Sequence, residues 1–583
     1  MSKRIVVVEK AKCNPEGCGW YLCARVSPSN RAGKEAFYKD VDGKIAVNEE
    51  LVSDVDQIAV NKCPFHALKM VRLPEQLDKE PLHRFGKNGF SLYNLPIPTF
   101  GNVVGIIGRN GIGKSTAVQI LAGLIKPNMG IADKEATQKE IIEYFKGTEA
   151  QTYFEKLAKG EMKVSYKPQQ VEVISRQYKG SVRDLLKKAD ERGIFDSIIN
   201  DLELSKFLDN DIAKISGGEL QRVAIAATVM KKANVLIFDE PTSYLDVMQR
   251  LKISKYIRGL ADENTAVLVI EHDLIILDAM TDLVQPMYGT PGVYGVVTLP
   301  KSSKAGINAY LEGFLREENM RFRNHAITFF EKIHEKVQKR EQLTTWEAHK
   351  ETLGKFALSI NSGSIDKRDV IGIVGENATG KTTFVKYLAG ELDSDKLPVK
   401  IAYKPQYLTP TSELVAVFLK NAIMQYNVQI IKPLDIMPLI EKQLDQLSGG
   451  ELQRVMIAKC LSEDAELLLM DEPSAYLDVE QRLEVSKIIG QHLQETGKAA
   501  LIVDHDVLFI DYLSEKLIVF EGEPSVKGEE HGPYLMEEGM NHFLKGIGIT
   551  FRRDEENHRP RVNKLDSQMD KQQKGTGKLY YTR

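Results

Sequence analysis

Gly108-Arg109-Asn110-Gly111-Ile112-Gly113-Lys114-Ser115 and Gly375-Glu376-Asn377-Ala378-Thr379-Gly380-Lys381-Thr382 share one spacing of glycine, lysine and hydroxyl. Each follows a short apolar run, Val103 to Ile107 and Val370 to Val374, and each leads into a helix-forming stretch. Strand, glycine-rich loop and helix in that order make a phosphate cradle. Glycines let backbone N–H groups wrap phosphate oxygens, and the helix N-terminus adds positive partial charge. Lys114 and Lys381 are predicted to reach the β- and γ-phosphates, and Ser115 and Thr382 to ligate Mg²⁺. Gly108, Asn110, Gly111, Gly113 and Thr116 complete the expected nucleotide contacts of the first loop, and Gly375, Asn377, Gly380 and Thr383 those of the second.

Both loops head the same script. The first continues with Tyr166-Lys167-Pro168-Gln169, Ser216-Gly217-Gly218-Glu219-Leu220-Gln221-Arg222, Asp239-Glu240-Pro241, Ser243-Tyr244-Leu245-Asp246 and Glu271-His272-Asp273. The second continues with Tyr403-Lys404-Pro405-Gln406, Ser448-Gly449-Gly450-Glu451-Leu452-Gln453-Arg454, Asp471-Glu472-Pro473, Ser474-Ala475-Tyr476-Leu477-Asp478 and Asp504-His505-Asp506. Asp239 and Asp471 end apolar runs and are expected to hold Mg²⁺ through its waters. Glu240 and Glu472 follow them as general bases for the attacking water. Gln169 and Gln406 are expected to sense Mg²⁺ and the γ-phosphate, and His272 and His505 to contact that phosphate. Taken singly, each motif has a plainer reading: Ser-Gly-Gly is usually a turn, a lone histidine a satisfied one, an Asp-Glu pair a solvated edge. Fixed order and duplication argue against all of these.

The signature Ser-Gly-Gly-Glu-Leu-Gln-Arg resembles that of ABC ATPases. The resemblance implies two P-loop α/β cassettes in tandem that close on ATP, each signature facing the other's phosphate loop. One site would join Lys114, Ser115, Gln169, Asp239, Glu240 and His272 to Ser448, Gly449 and Gly450. The other would join Lys381, Thr382, Gln406, Asp471, Glu472 and His505 to Ser216, Gly217 and Gly218.

The two halves are not equal in length. The lysines stand 267 residues apart (114 and 381), but the signature serines only 232 apart (216 and 448), so the first half carries 35 extra residues. Lys114 lies 55 residues before Gln169 while Lys381 lies 25 before Gln406, so 30 of the 35 fall there. Lys139 to Leu157 has helical spacing of apolar and charged residues, predicting two short helices broken near Gly147.

The chain has 583 residues, a net charge of −3 and 27% charged residues, so no global field points to nucleic acid or membrane. No run approaches the 18 apolar residues of a membrane span, and Ile5 to Val8 is too short for a signal peptide. A cytoplasmic monomer without a membrane partner is expected.

Four of the five cysteines fall within the first 63 residues, as Cys13, Cys18, Cys23 and Cys63 before Pro64. The pattern resembles a two-cluster ferredoxin with residues missing. On that resemblance these four form the ligand set of one [4Fe–4S] cluster, and Ser27, Ser53, Asp56 and Ala59 stand where the other set would be. A zinc site or four reduced structural cysteines remain open as readings of the same residues. Cys460, in an apolar stretch, reads as core.

A ferredoxin-like α+β domain ahead of twin cassettes resembles ABC subfamily E, the ribosome-recycling RNase L inhibitor family. Tyr294-Gly-Val-Val-Thr-Leu-Pro300, residues 313–323, Phe520-Glu-Gly-Glu-Pro524 and residues 551–561 carry the resemblance further. It implies a factor that splits ribosomes after termination or rescue and stays on the small subunit until ATP is hydrolysed. Its implied partners are the ribosome and its rRNA, a release or rescue factor, and initiation factors; its cofactors are ATP, Mg²⁺ and one [4Fe–4S] cluster. The alternative is a ribosome-binding clamp, or a diverged paralogue regulating translation without splitting. Three departures stand out: the missing second ligand set, Gln170 where the second half has Tyr407, and Ala378 where a glycine is usual.

The predicted domains are an iron–sulfur domain at 1–75, a first cassette at 76–300 with an insert about 125–162, a hinge at 301–325, a second cassette at 326–545, and a C-terminal hinge and basic tail at 546–583. The tail's Lys and Arg residues beside Tyr580 and Tyr581 suit RNA, or a solvated terminus. Phe85 and Phe90 are candidates to stack on adenine, or plain core.

Overall fold

The computed structural model describes residues 4–73, 77, 79–132, 134–329, 340–392, 397–407, 409–564 and 566–581. The predicted boundary at 75, residues 330–339 of the predicted second cassette, and Arg583 of the basic tail lie outside them. By contact density the chain divides into two compact units: Met1–Pro241 with Ile257–Glu271 and Thr281–His325, and Ala326–Arg583 with Thr242–Tyr256 and His272–Met280.

In the first unit, the strand Arg4–Val8 pairs antiparallel with Leu68–Arg72, and Phe37–Lys39 with Ile45–Val47. Three short helices, Leu22–Val26, Pro28–Arg31 and Gln57–Asn61, complete an α+β domain. The run Ile5 to Val8 uses the two faces of its strand separately. Val6 and Val8 enter a core with Phe37, Ile45 and Leu68, whereas Ile5 and Val7 join a cluster with Tyr93, Val293, Val296 and Leu315. That second cluster fastens the N-terminal domain to the first cassette, so contact density does not separate them at 75.

The first cassette's sheet runs His83–Arg84, Ser91–Tyr93, Tyr294–Val297, Leu283–Thr290, Val103–Ile107, Ala266–Ile270, Val235–Asp239, Val164–Lys167. Its last five strands are parallel. Val103–Ile107, Val235–Asp239 and Ala266–Ile270 are buried throughout, as expected of strands covered on both faces. The insert forms the helices Gln138–Tyr144 and Glu149–Ala158, on either side of Gly147 at φ 79°. A capping box of Thr137 and Glu140 starts the first helix. Phe145 and Phe154 stack at 5.3 Å between ring centres, and with Tyr153 they pack into the cassette core. Lys139, Glu143, Lys146 and Lys156 stay exposed.

Residues 301–325 form the helix Ser303–Glu312 and a small hairpin, Phe314–Leu315 with Met320–Arg321. Gly313 ends the helix in the left-handed conformation, φ 73°, that glycine tolerates. Phe322 then stacks on Tyr288 and Tyr310.

The second unit repeats the strand order: His349–Leu353, Phe356–Ile360, Lys527–Leu535, Lys516–Glu523, Val370–Gly375, Ala499–Val503, Leu467–Asp471, Ile401–Lys404. Residues 551–562 form a hairpin, Phe551–Arg553 with Pro560–Val562, in which Arg552 is exposed while Arg559 and Arg561 turn to internal partners. Arg559 is fully buried and donates to the Leu274 carbonyl at 3.3 Å; Arg561 holds Asp278 through two bonds of 2.6 and 3.0 Å. The tail is ordered by the helix Gln568–Thr576, and Tyr580 is buried with its hydroxyl donating to Asp511. Tyr581 also donates to Asp511, and Arg553 lies over its ring at 4.0 Å. The reading of these tyrosines as free RNA-stacking groups, or as part of a solvated end, is therefore corrected: Tyr580 is buried and both hydroxyls are held by Asp511. No helix among the described residues is long and apolar enough to cross a membrane.

Candidate active sites

Both phosphate loops close around their lysines. Lys114 opens the helix Lys114–Leu121, and its Nζ donates to the carbonyls of Gly108 at 2.9 Å and Arg109 at 2.8 Å. Lys381 opens Lys381–Leu388 and donates to Gly375 at 3.0 Å and Glu376 at 2.6 Å. Gly113 and Gly380 enter these helices at φ 86° and 102°, backbone that a side chain would strain. Burial pulls Lys381 down to about 8, with the charge of Asp246 opposing. Ala378 sits at φ 59° where Gly111 of the first loop sits at 76°. A left-handed alanine there costs about 1 kcal/mol.

Asp239 and Asp471 end their strands with Oδ1 of Asp239 and both carboxylate oxygens of Asp471 buried and lacking a hydrogen-bond partner. Burial raises both carboxyls, and the hydroxyls of Ser115 and Thr382 offset this only in part. Orphaned carboxylate oxygens beside a phosphate loop and a hydroxyl are the donor set that Mg²⁺ and its waters fit.

The next residue, Glu240 or Glu472, has φ 47° in both cassettes. Gln169 Nε2 donates to Glu240 Oε1 at 2.6 Å, and Gln406 Nε2 to Glu472 Oε1 at 2.7 Å. His505 Nε2 lies 3.6 Å from Glu472 Oε1. Burial, then the charges of Asp504 and Asp471, push Glu472 up to about 7, in the range of a working general base. Burial, with Lys381 and Arg250, holds His505 well below its ordinary value, so its imidazole is neutral at pH 7. His272 is buried. Within the second unit, Asn377 N–H donates to Asp246 Oδ2 at 2.9 Å, so Asp246 is brought to the second phosphate loop.

The signature serines are helix caps rather than turns. Ser216 caps Gly217–Val229 in a capping box with Glu219, and Ser448 caps Gly449–Ser462 with Glu451. A Cβ on Gly450 would come within 2.9 Å of the Tyr476 carbonyl, so a side chain there would displace backbone, while one on Gly449 would sit 3.2 Å from the Tyr476 ring. Two side chains of each cassette were not singled out from the sequence: the buried Lys167 and Lys404, and the buried Gln221 and Gln453. Burial brings both lysines to about 8. No signal in the sequence separates such a lysine from a surface one, although it lies inside the Tyr-Lys-Pro-Gln motif.

Phe90 packs beneath the first loop, partly buried, its ring 2.7 Å from where a Gly113 Cβ would be. Phe85 is 46% exposed and stays a candidate. Tyr407 is 84% exposed, so the Gln170 difference removes no packed aromatic contact within the cassette.

In the N-terminal domain, Cys13, Cys18, Cys23 and Cys63 line one cavity with Pro15, Ile45, Phe65 and Leu68. Ala67 N–H donates to Cys63 Sγ at 3.4 Å. Burial, then the neighbouring cysteines, push Cys23 up to about 12 when no metal is bound. The other predicted set is closed by hydrogen bonds. Asp56 is fully buried; Ser27 Oγ (2.6 Å) and Ser29 N–H (3.0 Å) donate to its Oδ1, and Ser29 Oγ (2.5 Å), Ser53 N–H (2.8 Å) and Ser53 Oγ (2.8 Å) to its Oδ2. Burial works to raise this carboxyl, and the donors overcome it, leaving it at about 2.

A family model described as ABC transporter matches residues 97–243 and 358–475. ABC transporter E family member 1 of Arabidopsis thaliana is 42% identical over 99% of this chain and 98% of its own length. The chain belongs to the ABC E family. Two solved structures agree. One, described as a model of ribosome-bound archaeal Pelota and ABCE1, has TM-score 0.93 and 47% identity over all of both chains. The other, a complex of the archaeal ribosomal stalk protein aP1 and the archaeal ribosome recycling factor aABCE1, has TM-score 0.82 and 47% identity, covering 87% of this chain and all of that one. As in other ABC proteins, the cassettes hydrolyse ATP with Mg²⁺.

Proposed function

We propose that this chain is a cytoplasmic, monomeric ribosome recycling factor, which splits ribosomes by closing two cassettes on ATP and leaves the small subunit on hydrolysis. The observation that carries the reading is the full-length match to a ribosome-bound relative, with both ATP sites and the cysteine cavity intact. The proposed domains are those expected above, with the insert helices as a small-subunit contact and the two hairpins as hinges.

In each site the lysine moves from loop carbonyls to the β- and γ-phosphates. Ser115 with Gln169, or Thr382 with Gln406, and Asp239 or Asp471 through water, would hold Mg²⁺, which would supply positive charge against the phosphates. Glu240 and Glu472 take the proton of the attacking water. Gln169 and Gln406 hold those glutamates until the γ-phosphate is present, and His272 and His505 steady it. Ser216 and Ser448, each capping a helix N-terminus, act on the phosphate bound by the opposite cassette.

The four cysteines are proposed to hold one [4Fe–4S] cluster. Among the described residues no three Cys, His, Asp or Glu are placed to hold one metal ion, yet the four thiols share one cavity. A [4Fe–4S] cluster takes one cysteine per iron, which matches four thiols around one cavity, and would tie the four chain segments together there. Anaerobically purified protein is expected to hold about four irons, not eight.

The test of function is sedimentation of that protein with ribosomes and a release factor, with and without a non-hydrolysable ATP analogue. Recycling requires the protein to travel with free small subunits while intact ribosomes decline. A clamp would bind with no fall in intact ribosomes, and protein left at the top of the gradient in every condition would end the ribosomal reading.

A further inference from the structure

We propose that Lys167 with Gln221, and Lys404 with Gln453, are positioning residues that set the catalytic glutamates by gripping their main-chain carbonyls. The inference rests on the reading of Glu240 and Glu472 as bases. Lys167 Nζ donates to the carbonyls of Asp239 at 2.8 Å and Glu240 at 3.1 Å, and Gln221 Nε2 to the same Glu240 carbonyl at 2.5 Å. Lys404 Nζ donates to Asp471 at 2.7 Å and Glu472 at 3.3 Å, and Gln453 Nε2 to Glu472 at 2.6 Å. On the other side of each glutamate, its N–H is fixed to the next strand, Glu240 to Ile270 at 3.0 Å and Glu472 to Val503 at 2.8 Å.

Successive groups of an extended strand point to opposite sides. One ammonium can bond two successive carbonyls only because the chain turns at the glutamate, at φ 47°. A non-glycine residue does not hold that conformation unaided. The grip supplies the missing support, and with the backbone so turned each carboxylate meets its glutamine at 2.6 or 2.7 Å. All four gripping side chains are buried and bond main-chain carbonyls, where an apolar side chain would fill the space but fix nothing. The lysine lies two residues before Gln169 or Gln406, and the glutamine lies in the signature helix. Two motifs thus converge on one carbonyl, in the same way in both cassettes.

The test uses the full chain with paired substitutions, so that neither site masks the other. Lys167→Met with Lys404→Met is expected to lower kcat about 10²-fold, the scale of a misplaced catalytic group. Affinity for a fluorescent ATP analogue should change by no more than about threefold, because the loss is confined to the transition state. The Lys→Arg pair should retain more activity than the Met pair. Gln221→Leu with Gln453→Leu should lose about tenfold, and adding it to the lysine pair should cost less than the product of the two losses, since both act on one carbonyl. Unchanged kcat, a matching fall in affinity, or multiplicative losses would overturn the proposal. If the lysine pair fails to fold, as read by its melting transition, the glutamine pair decides alone by the same split. Glu240→Gln with Glu472→Gln is the control: hydrolysis at the parent rate there would remove the base reading itself.

Discussion

The two cassettes, and the two ligand sets predicted in the N-terminal domain, differ in what they share. In the cassettes the glutamine-to-glutamate distance is 2.6 Å in one copy and 2.7 Å in the other, and both glutamates sit at φ 47°. In the N-terminal domain the two predicted sets share no chemistry: one is four thiols around an apolar-walled cavity, the other a carboxylate saturated by serines. Where both copies run one reaction, geometry ties the residues down. Around Asp56, hydrogen bonds from three serines do the holding.

The sharpest way to break that contrast is in the cassettes. Glu240→Gln with Glu472→Gln is expected to slow steady-state hydrolysis by about 10²–10⁴-fold and leave the protein held on small subunits with ATP. Either single variant should halve the sites at most, if the copies are equivalent. In the N-terminal domain, Asp56→Ala strands the donors of Ser27, Ser29 and Ser53 and should cost about 3 kcal/mol, seen as early proteolysis or melting of that domain. A smaller effect comes from pH. The Asp56 carboxyl lies at about 2 against an ordinary 3.8, so it contributes about 2 kcal/mol above pH 4, lost as pH falls through 2. Denaturation over a pH series should show this acid-side slope, and Asp56→Asn should flatten it. Smallest is the one backbone mismatch between the loops: Ala378→Gly should stabilise by about 1 kcal/mol, and Gly111→Ala should cost about as much, both read by melting temperature.

Much of this was open to reading in the residues. Glycine spacing and apolar runs announced both cassettes, and charged helical periodicity flanking Gly147 matches where the two insert helices lie. The serine of each signature, three residues before a glutamate, is a capping box that could have been recognised. What stayed hidden depends on tertiary burial. Lys167 looks like any lysine until its ammonium is found against two carbonyls. Asp56 looks like a vacancy among cysteine positions until three serines close on it. Tyr580 and Tyr581 look like a loose basic-aromatic end until Asp511 claims both hydroxyls. Local pattern reports which face of an element is apolar, not which distant polar group waits there.

The lysines of the two phosphate loops already have their donors engaged by the loop's own carbonyls. A nucleotide arriving there exchanges acceptors and orders little new chain. Calorimetry would therefore see each loop as a receptor prepared in advance: heat from charge neutralisation, a small heat-capacity change, and little entropy lost in the loops themselves.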